Sequence, residues 1–243
     1  MQKSFLIEAQ PKSPAWRIYG AVAAYLVAVR LLVSACPGVF RSTTQAQVFD
    51  WPMLAIWIGA GAIGAVLAHR VGFPGPWDRR IGRRWRVHIP IALGIVFGVA
   101  AVITDGATHW TGYAAQQVHQ PSIHIPWPAS LVIYPGGAII VEVIYRLLPI
   151  SLLLWLASSV MLRGRANGAI FWLLALATSL IEPLGDLDLR VLGAGTMLAV
   201  FVQDYALNLG QAYIFRRAGF LAALLTRVSF YMVWHVAWGL VAR

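Results

Sequence analysis

Residues Leu131–Leu162 read LVIYPGGAIIVEVIYRLLPISLLLWLASSVML, an apolar run whose only charged side chains are Glu142 and Arg146. Such a run is typical of a transmembrane helix, because about 20 apolar residues cross the hydrocarbon core of a bilayer. This run is longer than one straight span requires, and Pro135-Gly136-Gly137 or Pro149 can break it. We therefore expect one long membrane helix or two shorter ones.

The rest of the chain has the same apolar character. Hydrophobic residues make up 59% of the 243 residues and charged residues 12%, which is about half the charged share of a soluble domain. The sequence predicts an all-α polytopic membrane helix bundle with about seven transmembrane helices, six at least and eight at most, in a single integral membrane domain over residues 1–243. The seven predicted spans are Ile18–Cys36, Trp51–Ala68, Ile89–Thr104, Leu131–Leu162, Ala169–Leu184, Val191–Phe215 and Phe220–Val241.

Lysine and arginine are concentrated at one set of helix ends. The opposite set holds only Arg41, Arg190 and Arg243. Because cytoplasmic loops of membrane proteins carry the excess of positive charge, we expect a multi-pass inner-membrane protein with a cytoplasmic N-terminus and an external loop Asp105–Pro128. The thirteen residues of the basic set are Lys3, Lys12, Arg17, Arg70, Arg79, Arg80, Arg83, Arg84, Arg86, Arg163, Arg165, Arg216 and Arg217.

The net charge of +10 does not indicate a nucleic-acid partner. The basic residues occupy short loops between apolar runs, and no polar segment combines a basic patch with aromatic residues. We expect membrane lipids as partners instead, with Arg79–Arg86 lying against anionic headgroups.

Neither a metal nor a cofactor is predicted. Cys36 is the only cysteine, which excludes an internal disulfide and offers no metal-binding pattern. His109, His119 and His124 share one loop, but zinc sites use tighter spacing or a second cluster of ligands. We interpret the three as ordinary loop histidines.

Seven ionisable residues fall inside the predicted spans, where charges are costly and face the bundle interior. Glu142 and Arg146 are four residues apart and can pair on one helix face. Two further stripes follow helical spacing, one of Arg227, Tyr231 and His235 and one of Thr196, Asp204, Asn208 and Gln211. For Thr196, Asn208 and Gln211, polar packing between helices is the simpler interpretation. The seven ionisable residues are Arg30, Glu142, Arg146, Glu182, Asp204, Arg227 and His235.

The depth of these residues groups them further. Counted from the basic ends at ~1.5 Å per residue, Asp204 and Arg227 lie at one depth and predict a structural ion pair. Glu142, Arg146, Glu182 and His235 share a layer nearer the outer face. We expect Glu142, Glu182 and His235 to meet in one cavity, with Arg146 fixing Glu142 in its ionised form. Glu182, with no obvious cation nearby, would be the protonated carboxyl, and a fully satisfied structural network is the alternative.

Two segments carry a resemblance to a known family. Gly136-Gly-Ala-Ile-Ile-Val-Glu-Val-Ile-Tyr-Arg146 resembles the Glu-Glu-x-x-x-Arg motif of the CPBP family, the CAAX proteases and bacteriocin-processing enzymes. Gly210-Gln-Ala-Tyr-Ile-Phe-Arg-Arg-Ala-Gly219 resembles the family hairpin Gly-x-x-x-x-Tyr/Phe-x-x-x-Gly and leads into a helix that ends in His235, as the family's third motif does. The resemblance covers residues 131–238. It implies glutamate-type intramembrane proteolysis of a membrane-associated peptide, with water activated by a glutamate and histidines and no obligatory metal.

The resemblance assigns a catalytic set of Glu142, Glu182, His235 and Arg146. Glu142 and Arg146 match the second Glu and the Arg of the first motif, whose first Glu is Val141 here. Glu182 falls where the histidine of Phe-x-x-x-His is expected. The third motif, His-x-x-x-Asn, retains His235 but has Gly239 in place of the Asn.

Three functional hypotheses follow. The first is a divergent intramembrane endopeptidase. The second is a noncatalytic binding or assembly subunit that keeps the family fold beside a partner membrane protein, and the third is a lipid or acyl-transfer enzyme using the same cavity. A transporter is disfavoured because the sequence contains no inverted repeat.

Overall fold

The computed structural model describes residues 15–36, 47–76, 78–117, 119, 122–185 and 192–242. The described residues contain helices and turns and no strand, which confirms the all-α class. The helices are α1 (Ala15–Ala35), α2 (Trp51–Arg70), α3 (Arg84–Thr108), α4 (Trp110–Gln117), α5 (Ser130–Met161), α6 (Asn167–Ser179), α7 (Ile181–Gly185), α8 (Ala194–Ala218) and α9 (Phe220–Leu240).

Among the described residues, five helical segments are long and apolar enough to cross a membrane: α2, α3, α5, the pair α6–α7, and α9. Helix α1 is apolar over the shorter stretch Tyr19–Ala35. Helix α8 has 25 residues, but it carries Asp204, Asn208 and Gln211 in its middle, which lowers its hydropathy. Each predicted span thus coincides with a helix or with α6 and α7 together, while Val191 lies outside the described residues. The chain is a membrane-embedded helix bundle.

The long run that contains Glu142 forms one helix. Helix α5 continues through Pro135 and Pro149 and adapts its geometry in two π-helical stretches, Val143–Leu147 and Trp155–Met161. Such stretches are rare inside α-helices and frequent at functional sites. Because the helix is continuous from Ser130 to Met161, this region does not form two separate helices.

Contacts between turns define two ends of the bundle. Arg216 donates from Nη1 to the carbonyl of Gly168 (3.4 Å), and the Arg217 guanidinium lies 5.3 Å from the Trp85 ring centre. These contacts bring together the turns that flank α3, α6 and α8, which we call the basic end. Ten residues of the basic set lie in or beside these turns: Arg70, Arg79, Arg80, Arg83, Arg84, Arg86, Arg163, Arg165, Arg216 and Arg217.

The opposite, distal end is closed by a buried carboxylate. Asp105, 3% exposed, accepts hydrogen bonds from the backbone N–H of Thr111 (2.9 Å) and from Nε1 of Trp238 (2.8 Å). The contact joins the last turns of α3 and α9 to the short helix α4. The sequence places Asp105 in an external loop, whereas the structure makes it the last buried residue of α3.

Small residues allow α3 and α9 to approach closely along their length. A Cβ atom at Gly94 would lie 2.7 Å from Cβ of Ser229, and one at Gly98 would lie 2.6 Å from Cβ of Val233. Only glycine leaves room for these contacts. The close crossing fixes the position of α9 along α3, and with it the positions of Arg227 and His235 inside the bundle.

Candidate active site

The first predicted pair of the site is present in α5. Glu142 is 0% exposed and Arg146 is 1% exposed, and Arg146 Nη1 lies 2.6 Å from Glu142 Oε1. The two residues, four apart in sequence, remain in contact although the π-helical stretch Val143–Leu147 begins between them. This confirms the predicted ion pair on one helix face.

Helix α8 contributes two amides to the same pair. Arg146 Nη2 donates to Oδ1 of Asn208 and to Oε1 of Gln211, the latter over 3.0 Å. Gln211 in turn donates from Nε2 to Glu142 Oε1 (2.8 Å). Both amides are buried, with exposures of 1% for Asn208 and 0% for Gln211. Polar packing between helices, the predicted role of these two residues, is confirmed.

Arg227 of α9 joins the second glutamate to the first. Its Nη2 lies 2.8 Å from Oε2 of Glu182, its Nη1 lies 3.1 Å from Oε1, and its Nε lies 3.6 Å from Glu142 Oε1. The interpretation of Glu182 as a carboxyl without a nearby cation is therefore wrong. The ion pairs that the structure describes for Arg227 are with the two glutamates, whereas the sequence predicted Asp204 as its partner.

Asn208 completes what we call the polar network. It accepts from Arg227 Nη2 at Oδ1 (2.8 Å) and donates from Nδ2 to Glu182 Oε2 (2.8 Å). Two carboxylates and two guanidiniums balance in charge, which allows them to be buried together. The network consists of Glu142, Arg146, Glu182, Asn208, Gln211 and Arg227.

A cavity of about 360 Å³ lies on the distal side of the network. Among its lining residues are three ionisable side chains from three helices: Glu182, Asp204 and His235. The expectation that Glu182 and His235 share a cavity is met. Glu142 and Arg146 are not among the lining residues, so the expectation that Glu142 reaches the same space is wrong.

His235 is held by aromatic rings rather than by carboxylates. Its ring stacks on Tyr134, with centres 4.4 Å apart and planes 10° apart, and meets the edge of Tyr231 at 5.0 Å. It lies in the π-helical stretch Met232–Ala237 near the end of α9. The predicted stripe of Arg227, Tyr231 and His235 is confirmed, since Tyr231 lies between the other two.

The sequence interpretation misjudged one histidine. His124 is 6% exposed, and its Nδ1 lies 3.2 Å from Nδ1 of His235. Burial lowers the pKa of His124 below its ordinary value, while the nearby Asp105 opposes this shift. Its interpretation as an ordinary loop histidine is wrong, although His109 and His119 are exposed.

Gly239 explains how His124 reaches this position. A Cβ atom at Gly239 would lie 2.9 Å from Cβ of His124 and 3.2 Å from its Cγ. The imidazole of His124 therefore fills the space that a side chain at 239 would occupy. Loop and helix meet here only because position 239 has no side chain, and no sequence spacing signals that contact.

The site has two parts, a charge-balanced scaffold and the cavity beside it. The scaffold is the polar network, and the cavity is lined by carboxylates and an imidazole in a low-dielectric interior where hydrogen bonds and charges act strongly. Within the described part of the chain, no three His, Cys, Asp or Glu side chains are grouped so that they can hold a metal ion. No known family, characterised protein or solved structure matches the chain.

Proposed function

We propose that this chain is an intramembrane endopeptidase that uses water, and that the cavity lined by Glu182 and His235 is its active site. The observation that carries the proposal is the convergence of Glu182, Asp204 and His235 from three helices on one cavity. Ionisable groups placed together in a membrane protein cavity indicate a function, because each is costly there. The resemblance to the CPBP motifs supports the same reaction class.

In this mechanism Glu182 acts as general base and His235 as hydrogen-bond donor. Glu182 takes one proton from a water molecule, whose oxygen forms a bond to the peptide carbonyl carbon. His235 stabilises the negative charge on the carbonyl oxygen. The C–N bond then breaks as Glu182 returns its proton to the leaving nitrogen, and the new carboxyl group releases the second water proton.

Gln203 is placed to assist at the carbonyl oxygen. Its Oε1 accepts a hydrogen bond from Thr104 Oγ1 over 3.2 Å, and its side chain lines the cavity. The amide nitrogen is thus left to donate to a bound substrate. Asp204 lines the same cavity and adds a second carboxylate beside the reacting groups.

The scaffold sets the charge state of the base. Arg227 holds both oxygens of Glu182 and thereby favours the carboxylate. Glu142 and Arg146 balance Arg227 from behind without reaching the cavity. This assignment moves Glu142 and Arg146 from the reacting groups, where the motif resemblance puts them, to positioning residues.

The cavity wall fits a hydrophobic peptide. Four aromatic side chains line it, and Trp110 and Trp234 stack with ring centres 6.0 Å apart. Aromatic walls with a few polar groups are common in ligand sites. The substrate is a membrane-associated peptide bond near the distal end, and the four aromatic residues are Trp110, Phe230, Tyr231 and Trp234.

The proposal includes an inner-membrane location with a cytoplasmic basic end. The support is the concentration of arginines at that end, which matches the charge bias of cytoplasmic loops. Arg79, Arg80, Arg83 and Arg84 are exposed there and can contact anionic lipid headgroups. The cavity then opens on the side away from the cytoplasm.

The test is turnover by purified protein in liposomes, with a library of quenched-fluorescent transmembrane peptides as probe. Wild-type protein is expected to cleave members of the library, and Glu182→Gln and His235→Asn to lose at least about 10²-fold in kcat. His109→Asn is the matched control, because His109 is exposed on the same side and has a positive φ of 53° that Asn tolerates. Full activity of Glu182→Gln would remove the mechanism.

One observation favours a noncatalytic assembly subunit as the second candidate. The polar network pairs its two glutamates with its two arginines, as a network whose task is to join helices does. That candidate predicts stoichiometric co-purification of a partner membrane protein and no peptide cleavage. It also predicts that His235→Asn leaves partner binding intact, since His235 lies outside the network.

A further inference from the structure

We propose that His124 is a positioning residue that fixes the tautomer of His235: His124 donates its Nδ1–H to Nδ1 of His235, so that His235 carries its own proton on Nε2. The inference rests on the proposed function only for the use made of that proton. The pairing itself is a property of two side chains and is testable without a substrate.

The geometry demands that one of the two nitrogens donates. The Nδ1 atoms lie 3.2 Å apart, a hydrogen-bond distance, and two bare lone pairs or two N–H groups would repel each other. A neutral imidazole has one proton, so the donor in this contact has a bare Nε2 and the acceptor has a protonated Nε2. Two arrangements exist, and they give His235 opposite chemistry.

The far nitrogen of His124 decides between them. His124 Nε2 is buried and has no hydrogen-bond partner among the described residues. A buried N–H without a partner is rarer and more costly than a buried acceptor without one. Nε2 of His124 is therefore the bare nitrogen, and the proton of His124 is on Nδ1, facing His235.

The surroundings hold His124 in this orientation. The backbone N–H of His124 donates to Ser122 Oγ (3.0 Å), and the backbone N–H of the next residue, Ile125, donates to Tyr134 Oη (2.8 Å). Its ring meets the Trp234 ring at 84° with centres 5.1 Å apart. The side chain of His124 also packs closely against Gly239.

Ionisable residues of α3, α5 and α9 surround the histidine pair. Asp105 of α3 carries the negative charge that acts on His124, Tyr134 of α5 stacks on His235, and His235 belongs to α9. None of these gives His235 Nε2 a described hydrogen bond. The Nε2–H of His235 is the proton available to the cavity, which suits a donor to a carbonyl oxygen and not a base.

The first test is nuclear magnetic resonance of the full chain labelled with ¹⁵N-histidine, at slightly alkaline pH. Six histidines give six ring patterns, and single His→Asn variants assign them. The expected spectrum has a protonated Nε2 on His235 and a protonated Nδ1 on His124. A protonated Nδ1 on His235 overturns the proposal whether or not the protein cleaves peptides.

Variants of His124 provide a second test. Asn keeps a donor where His has Nδ1–H, so His124→Asn is expected to preserve the His235 tautomer. His124→Phe removes the donor, and the His235 tautomer is expected to be lost. Gly239→Ala, a substitution in α9, pushes His124 away from His235 and is expected to act like His124→Phe. Equal His235 spectra in His124→Asn and His124→Phe would contradict the proposal.

Turnover separates this inference from the proposed function. With a cleaved peptide in hand, His124→Phe is expected to lower kcat about 10²-fold with little change in KM, because one transition-state donor is lost, and His124→Asn is expected to retain most activity. If no peptide is cleaved but the predicted tautomers are present, the proposed function fails and the pairing stands.

Discussion

Arg227 holds Glu182 with both terminal nitrogens, at 2.8 and 3.1 Å, across 45 residues of sequence. The contact ties α9 to α7 and sets one carboxylate at the wall of the cavity while its partner stays buried behind it. Glu182 is 22% exposed at its side chain and Arg227 is 1% exposed. A buried cation and a cavity-facing carboxylate thus form the boundary between the polar network and the cavity.

Removing this contact is expected to destabilise the bundle. Arg227→Met leaves Glu142 and Glu182 short of one positive charge, and breaking a buried pair of this kind costs about 3–5 kcal/mol. Glu182→Gln is expected to cost less, because its side chain is partly exposed and the amide still hydrogen-bonds. Thermal unfolding of each single variant and of the double variant in lipid nanodiscs measures the coupling. Strictly additive losses would show that the two residues do not interact.

The close crossing of α3 and α9 gives a second prediction. Gly94→Ala places a methyl group against α9 at 2.7 Å from Ser229 Cβ, and such overpacking costs about 1–3 kcal/mol. Gly59→Ala is the matched control, since Gly59 is exposed on α2 and a methyl group added there would meet nothing within 4 Å. Unfolding temperatures should fall for Gly94→Ala only. Similar values for both variants would contradict the described crossing.

The polar faces of these helices could be predicted from the sequence, because they depend only on the spacing of residues within one helix. Spacing of three and four residues puts Glu142 with Arg146, and Asn208 with Gln211, on shared faces in any helix. The partners of Arg227 could not be predicted from such spacing. Counting depth along straight helices put Asp204 opposite Arg227, whereas α7 is a separate short helix that brings Glu182 there.

His124 shows a second limit of sequence reasoning. The irregular spacing of the three loop histidines does not set His124 apart from His109 and His119. The one local signal is its pair of flanking isoleucines, Ile123 and Ile125, which does not by itself show where the imidazole lies. His124 packs against Gly239, which is distant in sequence, and the next residue, Ile125, is held by Tyr134. Contacts of that kind depend on how helices pack, which periodicity does not encode.

Burial of His124 predicts a pH dependence of stability. Its pKa is lowered in the folded protein, so the unfolded chain binds the proton more readily as pH falls below about 6.5. The contribution is therefore complete above that pH and is lost as pH falls toward the lowered pKa. Unfolding temperatures measured across this range should decline on acidification, and less steeply in His124→Asn. An unchanged slope in that variant would assign the dependence to other groups.

The orientation in the membrane has a direct measurement. With the exposed Cys36 replaced by Ser, single cysteines are introduced at Arg83 and His119, which are both exposed. If the arginine-rich end faces the cytoplasm, as proposed, an impermeant thiol reagent labels His119→Cys on intact cells and Arg83→Cys only after permeabilisation. The reverse pattern would invert the topology, and labelling of both sites would place them on one side.

Glu142→Gln distinguishes scaffold from chemistry. Glu142 is 0% exposed, lies off the cavity, and pairs with Arg146 at 2.6 Å and with Arg227 at 3.6 Å. The substitution keeps the size of the side chain but leaves two guanidiniums facing one carboxylate, which is expected to cost about 3–5 kcal/mol in unfolding free energy. Activity per folded molecule should fall less than in Glu182→Gln.

The control for Glu142→Gln is the double variant Glu142→Gln with Arg146→Gln, which restores the charge balance and should recover much of the lost stability. Both variants are measured by thermal unfolding and by peptide turnover normalised to the folded fraction. Complete loss of turnover in Glu142→Gln at wild-type stability would return Glu142 to the reacting groups. The cavity wall would then have to open toward α5, since in the described structure Glu142 is fully buried and its Oε1 accepts hydrogen bonds from Arg146 and Gln211.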